Sequence, residues 1–412
     1  MEFFQVKTVE EVWSLFAGFE PVGREKVPLE GARGRVLASA VRASEDFPPF
    51  ARATMDGYAV RAADTFGASP SSPVPLKVVG EVRMGEAPAF SIGPEEAAAI
   101  PTGGMMPEGA DGVVMLEYTR RIPPAEVEVL RPVSPWENVM RPGEDFKAGE
   151  ELLPRGKRLK PQDVALCATL GLEEIDVFRR PKVGIISTGD EIVPVHETPG
   201  PGQIRDSNHY ALWGIAEEIG CVPLYLGHAR DEESSLLRLL EEGVESCDAV
   251  LISGGSSVGA RDVTMAALKA LGAEVLVHGV AISPGKPTLL ALKGGTVLWG
   301  LPGHPASCTV VALVMVRPSL KRIGGEQPYL PPFPYELKAI ASRNIPSAPG
   351  REDFVRVTLR KEGEVLYAYP VFGKSGALSS LVKGDGLLRI DAQKEGVAEG
   401  EEVTVWPFST SG

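Results

Sequence analysis

Three polar loops in this sequence each follow a short apolar run, and their side chains are of the types that hold phosphate and divalent metal. Ser187-Thr188-Gly189-Asp190-Glu191 closes the run 183–187, Ser253-Gly254-Gly255-Ser256-Ser257-Val258-Gly259 closes 249–253, and Leu301-Pro302-Gly303-His304-Pro305 follows 296–300. Acidic residues gather at the same places: Asp190, Glu191, Asp206, Asp231 and Asp262. Hard carboxylate oxygens bind Mg2+, which in turn holds phosphate oxygens. Small residues ahead of a helix let backbone N–H groups approach an anion. The combination points to metal-assisted chemistry on a phosphoanhydride. Lys286, in Pro284-Gly285-Lys286-Pro287, is the best fixed cation nearby. Each feature also has a plainer reading: Asp231 and Asp262 as helix N-caps, Lys286 as a solvated turn lysine, and the glycine loop as an ordinary turn. The loop is neither a Walker loop, since no Gly-Lys-Ser/Thr closes it, nor Gly-x-Gly-x-x-Gly. Ser256 and Ser257 lack the Gly-x-Ser-x-Gly elbow, which disfavours nucleophilic hydrolysis. His278 and His304 have no spaced histidine partner, so turn or orienting roles suit them.

The elements around these loops set the geometry. The runs 183–187, 222–226, 249–253 and 296–300 read as strands. Between them lie helical patterns, with Asn208 capping a helix that Gly220 stops, Asp231 capping 236–240, and Asp262 capping 265–271. Another helix starts near Pro305. Strands alternating with helices at this spacing predict a parallel, doubly wound α/β sheet, whose ligands bind outside the carboxyl ends of the strands. The three loops fall on that edge. Upstream, Thr8 and Glu11 form a capping box before Val12, Leu15, Phe16 and Phe19, and residues 159–172 carry a second helical period. Residues 46–145 hold short apolar runs separated by Gly and Pro turns, which fits a β-rich module. After Pro331 the runs 354–359, 365–371 and 403–408 predict a small barrel or sandwich. The expected division is 1–45 plus 146–177 as a helical and linker domain, 46–145 as the β-rich domain, 178–326 as the α/β domain, and 327–412 as the C-terminal β domain.

Composition narrows the function classes. The 412 residues are 43% hydrophobic and 24% charged, ordinary for a folded chain, and 46 Gly with 36 Pro imply many tight turns. A formal charge of −13 argues against sequence-independent nucleic-acid binding, which needs clustered Lys and Arg. The four cysteines, Cys167, Cys221, Cys247 and Cys308, form no Cys-x-x-Cys pair, so zinc and disulfide frameworks are disfavoured and reduced, partly buried thiols are expected. The first residues lack the basic start and apolar core of a signal peptide, and the longest apolar run, 308–316, is too short to span a bilayer. A cytoplasmic protein is expected.

Taken in order, the motifs resemble the MoeA family, related to the E domain of gephyrin. The matching segments are Thr54-Met55-Asp56-Gly57-Tyr58-Ala59, Thr102-Gly103-Gly104 with Gly109-Ala110-Asp111, and Arg141-Pro142-Gly143-Glu144-Asp145. Then come the three loops, Asp206-Ser207-Asn208, residues 284–287, Gly350-Arg351-Glu352, and Gly376 with its flanking serines. The resemblance spans nearly the whole chain. It implies a MoaB/MogA-like α/β domain with a β-rich inserted domain. It also implies an enzyme that inserts molybdenum from molybdate into adenylylated molybdopterin, releasing AMP, with Mg2+ required. A homodimer is implied, with the site between one subunit's α/β domain and its partner's β-rich domain, and a handover contact with the molybdopterin adenylyltransferase. Carried over, Glu191, Asp231 and Asp262 match acidic positions linked to activity and metal. Asp56, Thr102 and Asp145 match positions that face the cleft from the partner. Lys286 and the loop residues Ser253, Gly254, Gly255, Ser256, Ser257 and Gly259 would meet phosphate. Asp190, Asp206, Pro302, His304, Pro305 and Ser375 complete the implied binding positions.

Several positions depart from the family pattern. Ser283 stands in place of the first lysine of Lys-Pro-Gly-Lys-Pro, and His278 where a lysine is frequent. Ala260 and Arg261 follow Ser-Val-Gly where an acid is usual, His304 occupies the Pro-Gly-x-Pro turn, and Gly384-Asp385 replaces Ala-Asn. A lost lysine weakens the anion site; Arg205, Arg261 and His278 are the residues available to compensate. Two other readings stay open: a catalytically weak molybdopterin-binding or scaffolding homologue, and an Mg2+-dependent phosphoanhydride hydrolase on the same scaffold.

Overall fold

The computed structural model describes residues 6–254, 258–333 and 335–408, with the backbone alone over 258–262. It divides into two compact units, one of residues 40–154 and one formed by 1–39 with 155–412.

The smaller unit is built on a six-stranded sheet in the order Gly112–Met115, Gly57–Val60, Glu96–Ile100, Val74–Glu81, Glu126–Val129, Thr119–Ile122. Side chains alternate across it, so each face gains its own core. Tyr58, Val60, Leu76, Ala97, Val114, Val127 and Val129 fill one face. Ala59, Ala98, Ile100 and Val113 pack on the other with Val82 and Ile92. Gly57 is required where two strands meet, because a Cβ there would lie 2.0 Å from the Val114 carbonyl oxygen.

In the larger unit the first helix, Val9–Leu15, starts on the expected capping box. Thr8 N–H donates to Glu11 Oε2 at 2.6 Å, and Glu11 N–H donates to Thr8 Oγ1 at 3.1 Å. The second expected helix runs Pro161–Thr169 and is followed by Gly171 at φ 73°.

The central sheet has the order Val222–Ala229, Lys182–Thr188, Ala249–Ser253, Thr296–Leu301, Leu289–Lys293, Glu274–His278. The doubly wound α/β architecture is present, but the sheet is mixed rather than wholly parallel. Its first four strands are parallel. Leu289–Lys293 returns antiparallel to Thr296–Leu301, and Glu274–His278 pairs antiparallel beyond it. The cause is Gly294-Gly295, with φ 57° and 92°, which closes a two-residue hairpin where only positive φ follows the strand twist. Helices cover both faces. Val183, Ile185, Leu251, Val297 and Trp299 pack with Leu212, Ile215 and Ala216 of helix Asn208–Glu218. Ile186, Val250, Ile252 and Leu298 pack on the opposite face with Leu236, Leu239 and Leu240 of helix Glu233–Ser246 and with Ala267 and Leu268 of helix Val258–Ala270.

Three helix starts differ from expectation. Asn208 is not a cap but the first residue of its helix; its side chain is drawn instead to the Gly303 carbonyl at 2.8 Å. Helix Glu233–Ser246 is preceded by extended Glu232, which makes no side-chain cap, so Asp231 is not spent on capping. The helix expected to start after Asp262 begins at Val258, which places residue 262 inside its second turn.

The C-terminal region is a closed five-stranded barrel: Glu352–Glu362, Val365–Pro370, Leu337–Ala341, Glu402–Pro407 and Gly386–Ile390, the last pairing back to the first. Ile282–Ser283, from the segment after the last-paired strand of the α/β sheet, adds in parallel to Glu352–Asp353 at the edge of the barrel sheet.

Candidate active site

At the carboxyl ends of the parallel strands the larger unit opens a cleft of about 670 Å3. The loops meet there because small residues let them. Gly254, at φ 109°, sits so close to the first loop that a Cβ would lie 2.5 Å from Thr188 Oγ1. Thr188 Oγ1 donates to the Ser253 carbonyl at 3.3 Å, and Gly254 N–H donates to the Leu301 carbonyl at 3.3 Å. Asn208 ties its helix to the third loop through Gly303. His228, at the end of its strand, bonds through Nε2 to the Gly189 carbonyl at 2.7 Å. The turn carrying Lys286 is seated by Gly285, where a Cβ would meet Val311 Cγ2 at 2.3 Å, and by Thr288 Oγ1 donating to the Gly285 carbonyl at 2.7 Å.

The acidic residues then separate by role. Glu191 and Asp231 both line the cleft and are exposed to it. Asp206 also lines it but is buried, accepting from Ser187 Oγ and from His209 N–H at 3.1 Å. Its charge caps the helix that opens at Asn208 and fixes the rim. Asp190 stands beside the cleft and accepts from the Asp231 N–H at 3.4 Å, a long bond linking two loops. Ser253, Gly254, Lys286, Pro302, His304, Pro305 and Ser375 all line the same cleft. Ser375 reaches it because its carbonyl accepts from Ala306 N–H at 3.0 Å, at the start of helix Pro305–Val311.

Gly255, Ser256 and Ser257 lie outside the described residues, as does the Asp262 side chain; Gly259 and Asp262 are placed by backbone within helix Val258–Ala270. Among the described residues no three His, Cys, Asp or Glu side chains gather to hold a metal. Glu191 and Asp231 remain as two carboxylates on one cleft.

Among the described residues three cationic side chains line the cleft. Lys286 makes no ion pair among the described residues. Arg205 has its Nε turned to the Val195 and Glu197 carbonyls, each at 3.1 Å. Arg351 enters from the barrel, its Nε 3.3 Å from Asp353. Arg351 is the residue that sequence reading passed over as a functional side chain. Its one local signal was Gly350, at φ 89°, which turns the chain just before it. Of the residues named as compensating for Ser283, Arg205 is at the cleft, His278 is not among its lining residues, and the Arg261 side chain lies outside the described residues.

The cysteines are free and buried. Burial pushes Cys221 and Cys308 each up to about 12, and raises Cys167 and Cys247. Cys308 packs against Ser253 beneath the cleft and stays a thiol, with no nucleophilic role.

In the smaller unit Asp56 and Thr102 form a joined pair. Asp56 Oδ1 accepts from the Thr102 backbone N–H at 2.7 Å and from its hydroxyl at 2.9 Å, which holds the carboxyl below the usual range. Asp145 is exposed in the turn after Pro142, with its N–H on the Phe47 carbonyl at 3.1 Å.

A doubly wound domain with a polar, cation-lined cleft at its strand ends, joined to β modules, defines an α/β protein with a site suited to anions. Residues 7–171 match the family model of the MoeA N-terminal region (domain I and II), 184–322 a probable molybdopterin binding domain, and 338–408 the MoeA C-terminal region (domain IV). The molybdopterin molybdenumtransferase of Bacillus subtilis is 33% identical, covering 97% of this chain and 96% of that protein. The protein of that name from Nostoc is 34% identical over 92% of this chain and 88% of its own length. The crystal structure of a molybdopterin biosynthesis MoeA protein from Pyrococcus horikoshii superposes with a TM-score of 0.84 at 34% identity, over 98% of this chain and 100% of that one. The chain belongs to the MoeA family, and it is an enzyme of molybdenum-cofactor biosynthesis.

Proposed function

We propose that this enzyme inserts molybdenum from molybdate into adenylylated molybdopterin, with release of AMP. The observation that carries the reading is one cleft in which two exposed carboxylates, Glu191 and Asp231, share walls with Lys286 and Arg351. A phosphate-bearing substrate and a molybdate oxyanion both need such fixed cations. Gly254 lets its loop cross close against Thr188, where a Cβ would clash. Lys286 and Arg351 bind and orient the anions, and Lys286 stabilises charge on the departing phosphate. Ser187 and the His209 N–H, both donating to Asp206, hold the rim rigid.

Mg2+ fits this donor set, since it takes one or two carboxylates and leaves its other positions to water and substrate phosphate. Glu191 and Asp231 would hold it, with Asp262 as the further acid the family resemblance names. When bound it neutralises charge on the anhydride. We further propose that Asp56, Thr102 and Asp145 act from a partner subunit in a homodimer, that the chain divides into the four domains set out above, and that it works in the cytoplasm, receiving substrate from the molybdopterin adenylyltransferase. No helix among the described residues is long and apolar enough to cross a membrane.

The test is reconstitution with adenylylated molybdopterin, molybdate and Mg2+. AMP release in step with formation of active cofactor is expected. Tight binding without AMP release would instead establish a scaffolding homologue, and turnover of ordinary dinucleotides would establish a hydrolase.

A further inference from the structure

Away from the cleft, one half-buried guanidinium lies between two carboxylates. Arg389 Nε donates to Glu352 Oε2 at 2.6 Å, and its Nη2 donates to Glu10 on helix Val9–Leu15. Its Cζ lies 5.7 Å from the ring centres of both Trp13 and Trp406. Asp391 is a third, more distant acid, 3.9 Å from Nε. Glu352 is only 4% exposed. Its neighbours Arg351 and Asp353 pair with each other on the opposite face of the strand, as alternation requires.

The backbone around this cluster leads to the cleft. Glu352 N–H donates to the Ala281 carbonyl at 2.9 Å, Ala281 N–H to Lys7 at 2.8 Å, and Lys7 N–H to Gly279 at 3.1 Å. Ile282 and Ser283 pair with Glu352 and Asp353. The first helix, the barrel and segment 279–283 are therefore knit together at this point. Two of the joined segments run directly into the site: one presents Arg351, the other the turn from Ser283 to Lys286.

We infer that the Glu10–Arg389–Glu352 cluster is a positioning device for the anion-binding edge of the cleft, holding Arg351 and the Ser283–Lys286 turn in register. The inference rests on the oxyanion-binding reading of that cleft. The charge count gives it a direction. With Glu352 neutral, one cation faces one carboxylate and an acid whose hydroxyl can donate to Glu10. With Glu352 ionised, two carboxylates share one guanidinium and one of them is buried. Burial outweighs the Arg389 bonds and pushes Glu352 up to about 7. The cluster is thus best satisfied below that pH and strained above it, so the cleft edge loosens as pH rises.

The experiment titrates the full chain with sodium molybdate by calorimetry, about one pH unit either side of that value, and follows amide hydrogen exchange over residues 279–287 and 350–353. The unmodified protein is expected to bind several-fold tighter at the lower pH. Glu352→Gln, which mimics the neutral acid, loses the share of that pH step that Glu352 contributes. Any pH dependence from His304 or another cleft group is common to both proteins and cancels in the comparison. Arg389→Met weakens molybdate about ten-fold, the scale of a small misplacement of a binding group, and strips protection from the two segments while the Ala249–Ser253 strand keeps its own. Unchanged exchange in Arg389→Met, or a full pH step surviving in Glu352→Gln, would overturn the inference. Should Arg389→Met fail to fold, Glu10→Gln removes the exposed partner and is expected to give the same exchange pattern at smaller amplitude; an unaltered pattern overturns the inference equally. If the unmodified protein gives no molybdate isotherm, the oxyanion reading of the cleft falls, while the exchange data still decide whether the cluster positions these segments.

Discussion

Glu352→Gln should make the protein more stable in alkaline solution and leave it nearly unchanged in acid. The folded glutamate titrates at about 7 against an ordinary value of 4.5, because burial costs the carboxylate more than Arg389 returns. A carboxyl whose folded pKa is raised contributes stability that is full below the ordinary value and disappears as pH rises through the folded one. The displacement corresponds to about 3 kcal/mol between the two extremes, as an order of magnitude. Gln keeps a carbonyl for Arg389 and an N–H pair for Glu10 but carries no proton to lose. The difference between variant and parent unfolding free energies should therefore be near zero well below the ordinary glutamate value. It should grow toward a stabilisation of about 3 kcal/mol above the folded one. Urea unfolding at several pH values, read as that difference, cancels every other titrating group the proteins share. Parallel stability profiles would show that Glu352 titrates alike in the folded and unfolded states, and the charge argument for the cluster would fail.

Further substitutions probe the cleft itself. Gly254→Ala should destabilise by at least about 1–3 kcal/mol from its positive φ alone, with the Thr188 clash added; Gly202→Ala, whose Cβ meets nothing within 4 Å, isolates the φ cost in the same thermal melts. Lys286→Met should leave the melting profile intact and weaken molybdate binding roughly ten-fold, one charge-assisted contact being worth about 1.5–3 kcal/mol; equal affinity would remove Lys286 from the anion site. Asp231→Asn should raise the Mg2+ concentration needed for half-maximal AMP release by at least about ten-fold, as loss of a metal ligand's support does. An unchanged Mg2+ dependence would take Asp231 out of the metal's reach.

The legibility of this molecule followed the range of the interactions involved. The capping box at Thr8 and Glu11 closes within one helical turn, and strand Ala249–Ser253 declares itself by its unbroken apolar run, so both stand where the sequence places them. The antiparallel return of Leu289–Lys293 was legible too, since Gly294-Gly295 between two apolar runs is a hairpin signal; the α/β alternation overrode it. Carboxylates were harder. Asp206 and Asp231 look alike on paper, and only the fold shows that Ser187 and the His209 N–H consume the first while Glu232 leaves the second uncapped and free.

The cations show the same limit more sharply. The family resemblance directs attention from Ser283 to nearby basic residues, yet Arg351, 68 positions further on, is the one brought in from the barrel. What delivers it is the parallel pairing of Ile282–Ser283 with Glu352–Asp353, a two-residue ladder with no periodic signature of its own. The same ladder places the substituted serine and the incoming arginine on one rim. The serine in the turn and the arginine supplied by the barrel are thus brought to one rim through a backbone contact. The anion site should accordingly respond to perturbations of the barrel, such as those at Arg389, as strongly as to changes in the turn itself.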